Sequence, residues 1–194
     1  MESEPIRAIS DINAIHRVLT KWDYVREAEC FIIGCNFALR VGDLLKLTIE
    51  QVKEDKIKIN EQKTGKVREL PINQSARQAI NRLIAWYELK NIKPTYLFQP
   101  TGNRAKNVSK PISTKHLNNR LKQAAEAIGL DCSISSHSMR KSMGFHAYNK
   151  GVDVRNLQVL FNHKTEFQTL TYIGVTKRTV NDVYMSSELG IEIL

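Results

Sequence analysis

Apolar residues recur at helical spacing along most of this chain and at strictly alternate positions in one short stretch. Ser10 or Asp11 can cap a first helix that runs to about Trp22. Val25 to Leu39 is a second helix, so nearly apolar that it belongs in the core, and Arg40 stands at its end just before Gly42. A short helical turn, Asp43 to Leu47, leads through Thr48-Ile49 to Lys56-Ile57-Lys58-Ile59, whose polar/apolar alternation predicts a half-buried strand. Its partner is Val67 to Ile72. Lys63-Thr64-Gly65-Lys66 between them is a Gly-containing turn, which makes a β-hairpin with lysines at its tip.

Asn73 or Ser75 opens the next helix, which reaches about Leu89 with Ala79, Ile80, Leu83, Ile84 and Trp86 on its apolar face. A loop over 101–112 then precedes a helix from Ser113 or Thr114 to Ile128, stopped by Gly129. Ser135 or Ser136 caps a helix that carries His137 and Arg140 and ends at Gly151, and Asp153 caps another to about Phe161. Thr165 and Gln168 have the capping-box spacing for the helix that holds Tyr172. A final helix, roughly Lys177 to Ser186, precedes an apolar tail of Leu189, Ile191, Ile193 and Leu194. The fold class expected is α+β, mainly α-helical with a small antiparallel β-hairpin. With no repeat, low-complexity tract or long Gly/Ser linker, residues 1–194 read as one packing unit.

Charge narrows the class of partner. Twenty-nine Lys and Arg against 20 Asp and Glu give a net charge of +9, and Thr101 to Ala125 holds Arg104, Lys106, Lys110, Lys115, Arg120 and Lys122 with no acid. Such a segment suits a polyanion surface, although a charge run alone more often marks a solvated helix face. Cys30, Cys35 and Cys132 are odd in number and lack metal-site spacing, so neither a disulfide framework nor a zinc site is indicated. The acidic start Met1-Glu2-Ser3-Glu4-Pro5 is unlike a secretory signal, and Phe31 to Leu39 is too short to span a bilayer, so a soluble cytoplasmic protein is expected.

The chemistry gathers in His137-Ser138-Met139-Arg140, His163 and Tyr172. An imidazole moves protons near neutral pH, a guanidinium holds two phosphate oxygens at once, and a tyrosine oxygen can form a phosphoester. His137 and Arg140, three apart, share one helix face. A second arginine, Arg40, emerges from an apolar helix, where a guanidinium needs an anion, and Asp43 is the expected partner.

These pieces lie in an ordered series: Ala38-Leu39-Arg40-Val41-Gly42-Asp43-Leu44-Leu45-Lys46-Leu47, Lys63-Thr64-Gly65-Lys66-Val67-Arg68-Glu69-Leu70-Pro71, His137-Ser138-Met139-Arg140, and Asn162-His163 through Tyr172. The series resembles the tyrosine recombinase (phage integrase) family over roughly residues 25–174. The resemblance implies the tyrosine recombinase catalytic-domain fold. It also implies a site-specific DNA recombinase or integrase that cuts and rejoins strands through a 3′-phosphotyrosyl intermediate. In that scheme Arg40 and Arg140 clamp the scissile phosphate and Lys63 protonates the leaving 5′-oxygen, with Lys66 as the alternative if the hairpin register shifts. His137 transfers a proton and contacts phosphate, His163 hydrogen-bonds a phosphate oxygen, and Tyr172 is the nucleophile.

Tyr148 and Tyr184 have the wrong spacing for the nucleophile, and His16, His116 and His146 match no family position. The phenol's ordinary pKa of about 10 requires proton removal during attack. The resemblance implies no metal and no cofactor. It implies double-stranded DNA as partner, contacted by Lys66, Arg104, Lys106, Lys110 and Lys115, a homotetramer on paired sites, accessory DNA-bending or directionality factors, and no membrane. Residues 175–194 would be a C-terminal helix and tail, and no N-terminal core-binding domain is present in the 194 residues. The family commonly has glycine where Asn162 stands, so an altered turn is expected there. A non-cleaving DNA-binding regulator of the same fold, a type IB topoisomerase-like activity and, more distantly, a metal-free ribonuclease are the competing readings.

Overall fold

The computed structural model describes residues 3–62, 65–102, 109–175 and 184–185. The helices are α1 (Ile9–Lys21), α2 (Val25–Phe37), α3 (Val41–Leu45), α4 (Gln74–Leu89), α5 (Thr114–Ala127), α6 (Ser136–Asn149), α7 (Val154–Phe161) and α8 (Glu166–Tyr172), and the strands are β1 (Lys56–Asn60) and β2 (Val67–Pro71). The expected final helix and tail lie outside the described residues, except that Tyr184 and Met185 are helical.

Polar side chains start most helices where the sequence indicates. Asn73, Ser113, Ser135, Asp153 and Thr165 each accept a hydrogen bond from a backbone N–H of the first turn. Two starts differ. α1 begins at Ile9 behind Ala8 with no side-chain cap, one to two residues before Ser10 and Asp11, and α3 begins at Val41 instead of Asp43. At α8 only half of the expected capping box forms: Thr165 Oγ1 receives Gln168 N–H, while Gln168 Oε1 accepts from the N–H of Lys164. α2 stops at Phe37, short of Leu39, because Ala38 turns left-handed at φ 51°.

α2 is the central helix, buried on nearly every side. Phe31, Ile33 and Phe37 join Ile15 and Leu19 of α1, Ile80, Leu83 and Tyr87 of α4, Leu117 and Leu121 of α5 and Met139 of α6 in the main core. A smaller, second core holds Ala38, Phe145, Leu157, Phe161, Ile173 and Val175, which tie α7 and α8 to the far half of α6. Gly144 of α6 makes that seam close: a Cβ there would lie 2.6 Å from Ile173 and 2.7 Å from Phe161. The hairpin pairs antiparallel in the register Ile57 with Leu70 and Ile59 with Arg68. Ile57 and Ile59 face inward, as their alternation requires, while Lys58 pairs with Glu69 outside at 3.1 Å. None of the described helices is long and apolar enough to cross a membrane. Cys30, Cys35 and Cys132 are unpaired, the first buried and the others partly accessible.

Candidate active site

Arg40 occupies the position just before α3, with extended backbone at φ −65° and ψ 145°. That conformation aims its side chain across to the hairpin, where Nη1 donates to Glu61 Oε2 at 2.9 Å. Asp43 is therefore not the anion that holds Arg40. It lies in the first turn of α3, is buried, and accepts the N–H of Gln62 at 3.0 Å, fastening the end of β1 to α3. Glu61 is itself buried, and its other oxygen faces Arg68 Nη1 at 3.4 Å. Arg68 also donates to the carbonyl of Leu160 at 3.2 Å. The carboxylate thus joins two guanidiniums, and the second of them ties the hairpin to the end of α7.

Arg140 is held differently. It is 5% exposed, and its Nη1 donates to the carbonyl of Ala38, its Nη2 to that of Phe161 at 3.1 Å. The guanidinium carbon lies 4.8 Å from the centre of the Phe161 ring. Both carbonyls are free because helices α2 and α7 end there in left-handed residues, Ala38 and Asn162. Burial lowers the proton affinity of Arg140, the charges of Arg40 and Arg68 act in the same direction, and Tyr172 and Glu61 oppose them. It keeps its charge at neutral pH all the same.

Asn162 takes the left-handed position at φ 54° and ψ 48°, so the turn that glycine would form is made by asparagine. His163 follows, its N–H bonded to the carbonyl of Gln158 at 3.0 Å and its Nδ1 3.1 Å from Thr169 Oγ1. Its imidazole is pushed below the ordinary value, first by burial and then by the charges of Arg140 and Arg40. Tyr172, the last residue of α8, sets its ring 5.0 Å from that of His163 and 5.3 Å from that of Phe161. Arg40, Arg140, His163 and Tyr172, drawn from four places in the chain, therefore share one electrostatic neighbourhood.

The remaining candidates divide. His137 is exposed in the first turn of α6, and its ring has no hydrogen bond, ion pair or ring contact with another described residue. Lys63, Arg104 and Lys106 lie outside the described residues. Lys66 is exposed beside the site, 3.5 Å from Asn162 Oδ1, in a cleft of about 610 Å³ lined also by Glu61, Arg68 and His163. Lys110, in the loop before α5, and Lys115, in its first turn, are exposed, Lys110 in a second hollow with Arg26 and His116. Three residues of the site were not singled out in the sequence: Glu61, Arg68 and Lys141, whose Nζ stands 5.2 Å from the centre of the Tyr172 ring. Each sits within a few positions of a recognised one, and that adjacency was the available signal. His16, His116 and His146 pair with Glu29, Glu27 and the Ile6 carbonyl.

The mostly helical arrangement with one antiparallel hairpin is the fold of tyrosine recombinase catalytic domains. It matches the crystal structure of XerH site-specific recombinase bound to palindromic difH substrate with a TM-score of 0.69 and 15% identity, over 94% of this chain and 52% of that one. The chain belongs to the phage integrase family, whose model matches residues 8–178. It is similar to the probable integrase/recombinase YoeC of Bacillus subtilis (strain 168), at 35% identity over 184 residues, 93% of this chain and 94% of that protein. Tyrosine recombinase XerC of Thermodesulfovibrio yellowstonii is 28% identical over 169 residues, 86% of this chain and 56% of that protein. The chain thus spans nearly all of the Bacillus relative and about half of XerC and XerH. By family it is an enzyme of site-specific recombination, a DNA strand transferase.

Proposed function

We propose that this chain binds double-stranded DNA and exchanges its strands through Tyr172. The phenolic oxygen attacks a backbone phosphorus, the Tyr172 O–P bond forms, and the P–O5′ bond breaks. The phenolic proton passes to His137 or to solvent, and Lys63 supplies a proton to the departing 5′-oxygen. A 5′-hydroxyl from a second duplex then reverses the step, so the energy of the phosphodiester is conserved. Arg40 and Arg140 hold the non-bridging oxygens and offset the charge that builds up on them, the task for which planar bidentate donors are best suited. His163 donates to one of those oxygens. Lys66, Arg104, Lys106, Lys110 and Lys115 contact the DNA backbone. A homotetramer on two paired sites, aided by DNA-bending or directionality factors, is the assembly in which exchange takes place.

The observation that carries this reading is the neighbourhood of Arg140. A buried cation held, among the described residues, by carbonyls and an aromatic ring instead of a carboxylate keeps its charge for an incoming anion, and a phenol and an imidazole stand beside it. The test uses a pool of nicked duplexes of randomised sequence, each of which loses a short fragment on cleavage. Wild type should give a protein–DNA adduct that survives denaturant, and Tyr172→Phe none. Binding without an adduct would establish a regulator instead. Relaxation of one supercoiled circle with no exchange between duplexes would establish a topoisomerase.

A further inference from the structure

Residues 3–7, ahead of α1, run along α6. Pro5 and Ile6 are buried, Ile6 N–H donates to Ser142 Oγ at 2.7 Å, and the Ile6 carbonyl lies 3.0 Å from His146 Nε2. Two further contacts reach the turn that holds Tyr172. Arg7 Nη2 donates to the carbonyl of Gly174 at 3.1 Å, with its guanidinium 5.0 Å from the Phe145 ring centre. Lys141 Nζ donates to the carbonyl of Ser3 at 2.7 Å and stands 5.2 Å from the centre of the Tyr172 ring.

Lys141 follows Arg140 in sequence and is only 5% exposed. Burying an ammonium is costly unless its surroundings compensate, and here a carbonyl and the face of a phenol ring take part in doing so. A cation close to a phenol also favours the ionised phenol over the neutral one. Among the described residues, Arg140 of α6 and His163 of the turn before α8 also face Tyr172, and Arg7 reaches Gly174 two residues after it. Arg140 is committed to two carbonyls and, in the reading above, to phosphate.

We infer that Lys141 is a positioning residue for the nucleophile, fixing the Tyr172 ring and favouring the phenolate that attack requires, and that Ser3 to Arg7 sets where both stand. The inference rests on Tyr172 being the nucleophile. It distinguishes Lys141 from Lys63, since one acts on the attacking oxygen and the other on the leaving one.

The experiment measures single-turnover cleavage of a captured nicked duplex between pH 6 and pH 9. It is run with an ordinary 5′-oxygen and with a 5′-bridging sulfur, which leaves without needing a proton. Lys141→Gln should cleave on the order of 10-fold to 100-fold more slowly at neutral pH, recover as pH rises, and gain nothing from sulfur. Lys141→Arg should restore most of the rate, and Arg7→Ala should slow cleavage several-fold. A Lys141→Gln rate equal to wild type, depressed equally at every pH, or rescued by sulfur would overturn the inference while leaving Tyr172 in place. No adduct from wild type would remove both readings. If Lys141→Gln does not fold, the phenolate absorbance of Tyr172, taken as wild type minus Tyr172→Phe, decides. Its appearance at a lower pH than that of free tyrosine supports the inference, and at the same or a higher pH overturns it.

Discussion

Arg40 and Arg140 stand in the same neighbourhood, yet the chain holds them by opposite means. Arg40 has a side chain 26% exposed and is tied to a carboxylate that a second arginine shares. Arg140 is almost wholly buried and is tied to two main-chain carbonyls and an aromatic face. A carboxylate partner cancels charge, whereas carbonyls give direction and cancel little. The pair therefore differs in kind: Arg140 presents a fixed positive field, and Arg40 carries a charge already partly answered by Glu61.

The sharpest way to break the comparison is at Arg140. Arg140→Ala removes a preorganised cation and should slow cleavage by about 10²-fold to 10³-fold. It also strands the carbonyls of Ala38 and Phe161, each at a cost of about 1–3 kcal/mol, so thermal denaturation should show a lower midpoint. Arg40→Ala should match the loss of rate more closely than the loss of stability.

Glu61 tests the other half. Glu61→Gln keeps the shape but removes the charge that aims Arg40, and cleavage should fall on the order of 10-fold, within the range that residues coupled in one network show. In a double-mutant cycle Glu61→Gln should add little once Arg40 is alanine. If the two losses multiply independently, Glu61 does not act through Arg40.

The smallest effect is read at His163, which feels both charges. Its imidazole signal, followed by NMR, should titrate below the ordinary value, rise most in Arg140→Ala and less in Arg40→Ala, in the order of their influence. Between its lowered folded value and the ordinary 6.5, the unfolded chain takes up a proton that the folded chain refuses, so acidification through that window favours unfolding. His163→Gln should lose less stability than wild type between pH 7 and pH 5, by chemical denaturation.

Local chemistry was legible in the sequence, and long-range pairing was not. Asn73, Ser113, Ser135, Asp153 and Thr165 announce their helices because a cap is a contact between residues two or three apart. Ile57 and Ile59 announce their strand through alternation. Arg40 shows the limit: Asp43 at three residues' distance was the natural helical partner, but Arg40 lies outside the helix, in extended backbone, and reaches Glu61 twenty-one positions away. Ala8 could not be foreseen as a helix start because it caps nothing with its side chain. The tie between Lys141 and the Ser3 carbonyl spans 138 positions and is set only by how the chain's first residues cross α6.

The second core gives the molecule a line along which it can come apart. Leu157, Phe161 and Ile173 close around Gly144 and Phe145 apart from the main core about α2. Peeling α7 and α8 from that seam uncovers far less apolar surface than melting the whole, so it is the lower-energy opening, and native-state amide exchange would show these helices losing protection before α2 does. Tyr172 travels on the detachable piece. In the reaction proposed above, the attacking oxygen can thus be withdrawn from Arg40 and Arg140 as a unit while the hairpin and the central helices stay folded.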